Sequence, residues 1–292
     1  MILWLNGSLR DEREAVIPAG DHGIQYGMGL FETFRTYGGR PFLLEEHAAR
    51  LRAGCAALRI RYEPDPAQIR RAAERLLAAN GLADAVFRWS VSAGPAPPGL
   101  PGAEGYGRPN VLLSARPLPA AAAQPKELHL LRLRRSSPEG AVRYKSFHYM
   151  NNILGKWELA ERTPSPRAEG LFLDGAGRIC EGVVSNVFWV SGGTLFTPSP
   201  ETGCLPGITR GAVIALAERA GIPVREGGFP FAALADADEA FVTNSVQEVA
   251  PAAALYGADG AVARRWEAAP GPVTARLTNM YREWTRTAEG AP

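Results

Sequence analysis

The chain has 292 residues, of which 46% are hydrophobic and 21% charged; this is ordinary globular usage, with enough apolar side chain for a sizeable core, and it excludes a wholly disordered protein. Lys and Arg total 32 against 30 acidic residues, a net charge of +2, so no strong field draws the chain to nucleic acid or to an anionic membrane surface. There is no run of about 18 apolar residues, so no membrane span is expected; the opening MILWLNGSLRDE has no secretory-signal pattern, and the widely spaced Cys55, Cys180 and Cys204 form neither a disulfide framework nor a zinc site, which is the usage of a cytoplasmic protein.

In chain order, Ile2–Asn6, an Asn6-Gly7 turn and Ser8–Arg10 read as a hairpin. Gly29–Tyr37 alternates and is rich in β formers, and Gly38-Gly39 turns it into Pro41–Leu44. The period then changes. Leu44, His47, Leu51, Cys55 and Leu58 recur at helical spacing, which predicts an amphipathic helix over Glu45–Leu58. Asp65–Asn80 is a second helix, ended by Asn80-Gly81. Ala85–Ala93 and Asn110–Ala115 read as strands around a long Gly/Pro loop.

PLPAAAAQPKE, residues 117–127, has flanking prolines and no apolar period, and reads as an interdomain linker. Beyond it strands are expected at 128–134, 169–174, 178–181, 183–190, 194–197, 222–226, 238–243 and 250–256, and helices at 146–162, 207–221 and 272–287. The expectation is an α+β chain of two α/β domains: a smaller one over 1–116, the linker 117–127, and a larger one over 128–292.

The chemistry starts from a count. Only three of the basic residues are lysines, Lys126, Lys145 and Lys156, and Arg cannot replace Lys where a deprotonated amine must attack. Lys145 lies in RYKSFHYMNN, with Tyr149 four residues on; the two share a helix face if the helix includes Lys145. An amine beside a phenol suits imine formation with an aldehyde. Glu181, in ICEGVVSNVFWV, is a carboxylate among apolar neighbours and needs a cation or a protonated ring nitrogen. In CLPGITRGAVIAL, Pro206-Gly207 turns into a helix opened by Ile208 and Thr209, whose N–H groups and hydroxyl suit phosphate. Thr243, Asn244 and Ser245, in FVTNSVQEVAP, offer a second small-polar clamp, and Arg50, one turn from His47 in LLEEHAARL, suits a phosphate dianion.

Singly, each of these also fits a structural role: a surface lysine, an edge-strand glutamate, a helix cap, a plain turn, a solvated helix face, a core-edge histidine. Together they describe pyridoxal phosphate, which needs an amine for its aldehyde, a carboxylate for its ring nitrogen and donors for its phosphate. No metal is expected.

The segments DHGIQYGMGLFETFR, EEHAARL, RYKSFHYMNN, EGVVSNVFWV, TPSPETGCLPGITR and TNSVQEVAP, in that order, resemble the class IV (fold-type IV) pyridoxal-phosphate enzymes over residues 2 to 257, leaving the predicted helix 272–287 outside. That family comprises branched-chain aminotransferases, D-amino-acid aminotransferases and 4-amino-4-deoxychorismate lyases. The resemblance implies the D-amino-acid aminotransferase-like fold, with the cofactor between two domains, and a homodimer. It implies that Lys145 is the Schiff-base lysine, that Glu181 faces the pyridine nitrogen, that Arg50 binds phosphate, that Tyr149 lies near the ring hydroxyl and that Leu205 packs on the ring. Ile208 and Thr209 would bind phosphate through backbone and hydroxyl, with Asn244 and Ser245.

Within the family, Thr33 stands where branched-chain aminotransferases read FEG, and this FET, with KSFHYMNN and SNVFW, looks most like bacterial aminodeoxychorismate lyases. That reading makes Thr33 an aid to proton transfer and Tyr26 and Arg88 substrate contacts. The RxH pair of D-amino-acid aminotransferases is absent after Arg88. The implied activity converts aminodeoxychorismate to 4-aminobenzoate and pyruvate, a step of folate biosynthesis. The alternative is a class IV aminotransferase using branched-chain or D-amino acids with 2-oxoglutarate. A non-catalytic binding protein on the same fold is the third reading, and the joint presence of Lys145, Glu181 and Arg50 argues against it.

Overall fold

Asn6 and Gly7 both take positive φ, 47° and 93°, and this lets β1 (Ile2–Leu5) and β2 (Ser8–Asp11) close as an antiparallel hairpin in the computed structural model, which describes residues 1–119 and 124–287. After the short α1 (His22–Tyr26) come β3 (Gly29–Tyr37), β4 (Arg40–Pro41), α2 (Leu44–Ala57), α3 (Pro66–Asn80), β5 (Ala85–Ser92) and β6 (Asn110–Pro117). The six strands form one antiparallel sheet in the order β2-β1-β6-β5-β3-β4. Both longer helices pack on the face that carries Phe34, Phe87, Trp89 and Leu113, burying Leu51, Ile69 and Leu76 against them. Each such side chain contributes roughly 1.5–3 kcal/mol. The limits of α3 follow its sequence signals. The Asp65 carboxylate caps the N–H groups of Ala67 and Gln68, Pro66 occupies the first turn, and Gly81 ends the helix at φ 65°.

The second unit holds β7 (Lys126–Leu130), α4 (Met150–Arg162), β8 (Ala168–Leu173), β9 (Ile179–Gly182), β10 (Asn186–Ser191), β11 (Thr194–Pro198), α5 (Ile208–Arg219), β12 (Val224–Gly227), α6 (Phe231–Ala235), β13 (Glu239–Asn244), β14 (Glu248–Tyr256), β15 (Val262–Arg265) and α7 (Pro272–Thr287). Its mixed sheet runs β12-β11-β10-β13-β14-β7-β8-β9, with β15 added to β14. Its core includes Leu128, Leu171, Val187, Trp189, Val242 and Leu255. The helix outside the family resemblance is firmly seated: Leu277 and Tyr281 of α7 are buried, and the Glu239 carboxylate accepts the N–H groups of Val273 and Thr274 at 2.9 and 2.7 Å.

Several boundaries differ from the sequence reading. Lys126 and Glu127 belong to β7, not to the linker expected over 117–127, because they join the parallel ladders with β14 and β8; residues 120–123 of that linker lie outside the described residues, as do 288–292 of the expected second domain. The division into two units also departs from a single boundary, since Tyr144–His148 group with the first unit. The helix expected from 146 starts at Met150. α1, α6 and β15 were not anticipated, each being too short (five, five and four residues) for a period to register.

Candidate active site

Lys145 owes its place to glycines in YGMGLF. Residues 144–148 run beside the start of β3: Phe31 N–H donates to the Lys145 carbonyl at 2.8 Å and Phe147 N–H to the Gly29 carbonyl at 3.0 Å, with Leu30 bridged to Ser146. This pairing keeps the segment out of the helix. A Cβ on Gly29 would stand 2.3 Å from the Phe147 ring, and one on Gly27, at φ 69°, would stand 2.6 Å from the His148 ring. The Lys145 Nζ sits 4.7 Å from the centroid of Phe31, and the Arg88 guanidinium lies over the same ring at 3.5 Å.

Strand alternation puts Thr33 on the face of Phe31, and Arg88 is the register partner of Thr33 on β5. The first unit therefore gathers Lys145, Thr33, Phe31 and Arg88 on the sheet face opposite α2 and α3. Tyr26 ends α1, exposed, with its ring edge-on to His22 and its carbonyl 3.1 Å from His148 Nε2.

Glu32, one residue from Thr33, points to the helix-covered face. Its buried carboxylate takes His47 Nδ1 at 2.6 Å and two Arg50 nitrogens, Nε at 2.8 Å and Nη2 at 2.6 Å. Burial alone would raise this acid; the Arg50 charge and the hydrogen bonds from Arg50 and His47 overcome it and hold the pKa at about 2. Burial lowers His47 despite its contact with Glu32. Arg50 is therefore no solvated helix-face residue, and one edge of its guanidinium is filled by Glu32. The sequence reading passed over Glu32, although its place in the inward register of an apolar strand was a signal.

In the second unit Glu181 lies in β9, buried. Its Oε1 accepts from Arg135 Nε at 2.6 Å and has Arg143 Nε at 3.7 Å; its Oε2 accepts the Leu205 N–H at 2.8 Å. Asn186 Nδ2 donates to the Leu205 carbonyl at 2.8 Å, fixing that residue from the other side. Tyr149 occupies the position just before α4, so it shares no helix face with Lys145, which is outside the helix.

α5 opens at Ile208 with Gly207 as its cap and no side chain capping it. A Cβ on Gly207 would stand 2.1 Å from Asn186 Oδ1, so the chain needs glycine there. The buried Thr209 brings its hydroxyl 3.5 Å from that of Ser245, in the turn between β13 and β14. Asn244 serves this turn through its side chain: Oδ1 accepts from the N–H groups of Val246 and Gln247, and Nδ2 donates to the Val184 carbonyl. The Thr243 hydroxyl beside it is buried without a hydrogen-bond partner among the described residues. An uncapped helix start flanked by hydroxyls can bind an anion. The structure thus brings Ile208, Thr209 and Ser245 together, and separately joins Glu181 to Leu205.

The sequence pattern of the amino-transferase class IV family matches residues 29–255. The aminodeoxychorismate lyase of Bacillus subtilis (strain 168) is 41% identical over 253 residues, spanning 86% of this chain and 85% of that protein. Among solved structures, the 4-amino-4-deoxychorismate lyase from Pseudomonas aeruginosa is 33% identical, with a TM-score of 0.81 over 96% of this chain and 98% of that one. The branched-chain aminotransferase from the thermophilic archaeon Thermoproteus uzoniensis, solved with norvaline, is 28% identical, with a TM-score of 0.86 over 99% and 96%. With a match across most of its length and these motifs in place, the chain belongs to the amino-transferase class IV family.

Proposed function

We propose that this class IV enzyme is a pyridoxal-phosphate-dependent lyase that converts 4-amino-4-deoxychorismate to 4-aminobenzoate and pyruvate. The observation that carries the reading is the 41% identity to an aminodeoxychorismate lyase over 86% of the chain; Thr33 on the sheet face of the Lys145 cluster supports it. The donor chemistry fits the cofactor: one primary amine on an aromatic ring, one buried carboxylate, and an uncapped helix start with two hydroxyls and the orphaned Thr243 oxygen nearby.

When bound, pyridoxal phosphate supplies an electron sink. Lys145 is the amine that would hold it, and the same amine would move the proton from the substrate ring. Thr33 assists delivery of a proton to the departing enolpyruvyl carbon, and Arg88 and Tyr26 contact the substrate. Glu181 would serve the ring nitrogen, and Leu205 and Tyr149 would be its other ring contacts. Ile208, Thr209, Ser245 and Arg50 would bind phosphate, and Asn244 shapes the turn that carries Ser245. The reaction balances without an oxidant: the substrate loses a ring C–H proton and its C–O bond to the enolpyruvyl group, which gains a proton and leaves as pyruvate. Supplying aminodeoxychorismate to the holoenzyme with no keto acid present tests the reading.

The branched-chain aminotransferase relatives favour a second reading, amino transfer to 2-oxoglutarate. In either case the enzyme is a homodimer in this proposal. Met150, Ile153, Leu154 and Trp157 are 74, 45, 40 and 61% exposed and recur at helical spacing along α4, an apolar stripe that a second copy would cover. Three unpaired, buried cysteines accord with a reducing cytoplasm.

A further inference from the structure

We propose that Arg135, pinned by Asn151, is a positioning residue that holds the Glu181 carboxylate oriented for its partner ring nitrogen. The proposal rests on the assignment of Glu181 to that nitrogen.

Arg135 is buried and bound on both sides of its guanidinium. Nε donates to Glu181 Oε1 at 2.6 Å and Nη1 to Asn151 Oδ1 at 2.6 Å. Its backbone is fixed as well, Arg135 N–H donating to the Leu173 carbonyl at 2.8 Å. Asn151 straddles the same stretch: Oδ1 also accepts the Ser136 N–H at 3.2 Å, and Nδ2 donates to the Arg134 carbonyl at 3.0 Å. Its neighbour Asn152 donates to the Val183 carbonyl at 2.6 Å, two residues past Glu181. The paired asparagines of HYMNN thus hold Glu181 from two directions, one through Arg135 and one through the chain that follows it.

This arrangement exceeds what an ion pair for stability requires. With Oε1 held by Arg135 and Oε2 by the Leu205 N–H, the carboxylate cannot rotate without breaking a bond. The titratable groups around it are Arg135, Arg143 and the thiols of Cys180 and Cys204. Burial raises both thiols and keeps them neutral, leaving two guanidiniums facing one carboxylate. Glu181 is thus fixed by the Arg135 guanidinium and the Leu205 N–H, with Arg143 close by. A lysine at 135 could keep the charge but could not bridge Glu181 and Asn151 with one planar fork.

The test uses holoenzyme carrying R135K, N151L, E181Q or E181Q with R135K. The readout is the pH midpoint of the visible absorption band of bound pyridoxal phosphate, with thermal unfolding measured beside it. E181Q is expected to move the midpoint by roughly one pH unit or more. R135K and N151L should move it in the same direction by less, and R135K should add nothing on top of E181Q. N151L keeps both buried charges, so it serves if R135K does not fold. If R135K and N151L leave the midpoint at the wild-type value, or move it the other way, while E181Q shifts it, Arg135 is only a structural partner and the proposal fails. If E181Q leaves the midpoint unmoved, the assignment of Glu181 fails and takes the proposal with it.

Discussion

Glu32 grips Arg50 through both carboxylate oxygens, Oε1 to Nε at 2.8 Å and Oε2 to Nη2 at 2.6 Å, with the Glu32 side chain 1% exposed. The residue proposed to bind phosphate is thus also half of a buried ion pair. Arg50→Ala leaves an ionised acid with only His47 beside it, and breaking such a pair costs on the order of 3 kcal/mol. It should also weaken pyridoxal phosphate binding roughly 10–100-fold, the worth of a charge-assisted hydrogen bond to phosphate. Denaturant unfolding of the cofactor-free protein and cofactor titration separate the two effects. A loss of stability with no loss of affinity would make Arg50 structural only.

The same pair sets an acid limit. Glu32 is held at about 2 against an ordinary value of 4.5. A depressed carboxyl contributes stability that is fully present above its unfolded pKa and is lost as pH falls through the folded value, here between about 4.5 and 2, on the order of 3 kcal/mol. His47 is lowered too, so it adds a loss of the same sign, beginning below its ordinary 6.5. Stability measured against pH should therefore fall on acidification, and Glu32→Gln should flatten the lower part of that fall. A Glu32→Gln profile parallel to wild type from pH 5 to 2 would contradict this.

The parts of the fold legible in the sequence were those dictated locally. Asp65, Pro66 and Gly81 bound α3 because caps act within one turn. The start of α4 was misread because residues 144–148 are committed to β3, more than a hundred residues away, and no local period reports such a pairing. In the site, Lys145 stood out because lysine is scarce, and Glu181 because a carboxylate sat among apolar neighbours. Arg135 did not stand out in a chain that carries nearly all its positive charge on arginine. Asn186 gave no signal either, since its role is to hold Leu205, in the loop before α5.

Borohydride reduction of the holoprotein, followed by peptide mapping, should attach the cofactor to Lys145. The two other lysines serve as internal controls: Lys126 lies in β7 and Lys156 on α4. A label on either would overturn the amine assignment.

Trp157→Glu places a charge in the apolar stripe of α4, where Trp157 is exposed in the single chain. Sedimentation should show the wild type as a dimer and the variant shifted toward monomer, with its circular dichroism unchanged. A monomeric wild type, or a variant that still dimerises as tightly, would remove this face from the proposed interface.

The central claim is lyase chemistry at the Lys145–Thr33 face. The measurement that tests it most directly follows holoenzyme with aminodeoxychorismate and no keto acid, beside a parallel reaction with leucine, glutamate or D-alanine and 2-oxoglutarate. We expect 4-aminobenzoate and pyruvate in equal amounts from the first and little amino transfer in the second, with Thr33→Val slowing product formation roughly tenfold or more while the cofactor stays bound on Lys145. Efficient amino transfer, with neither product formed from aminodeoxychorismate, would contradict the account.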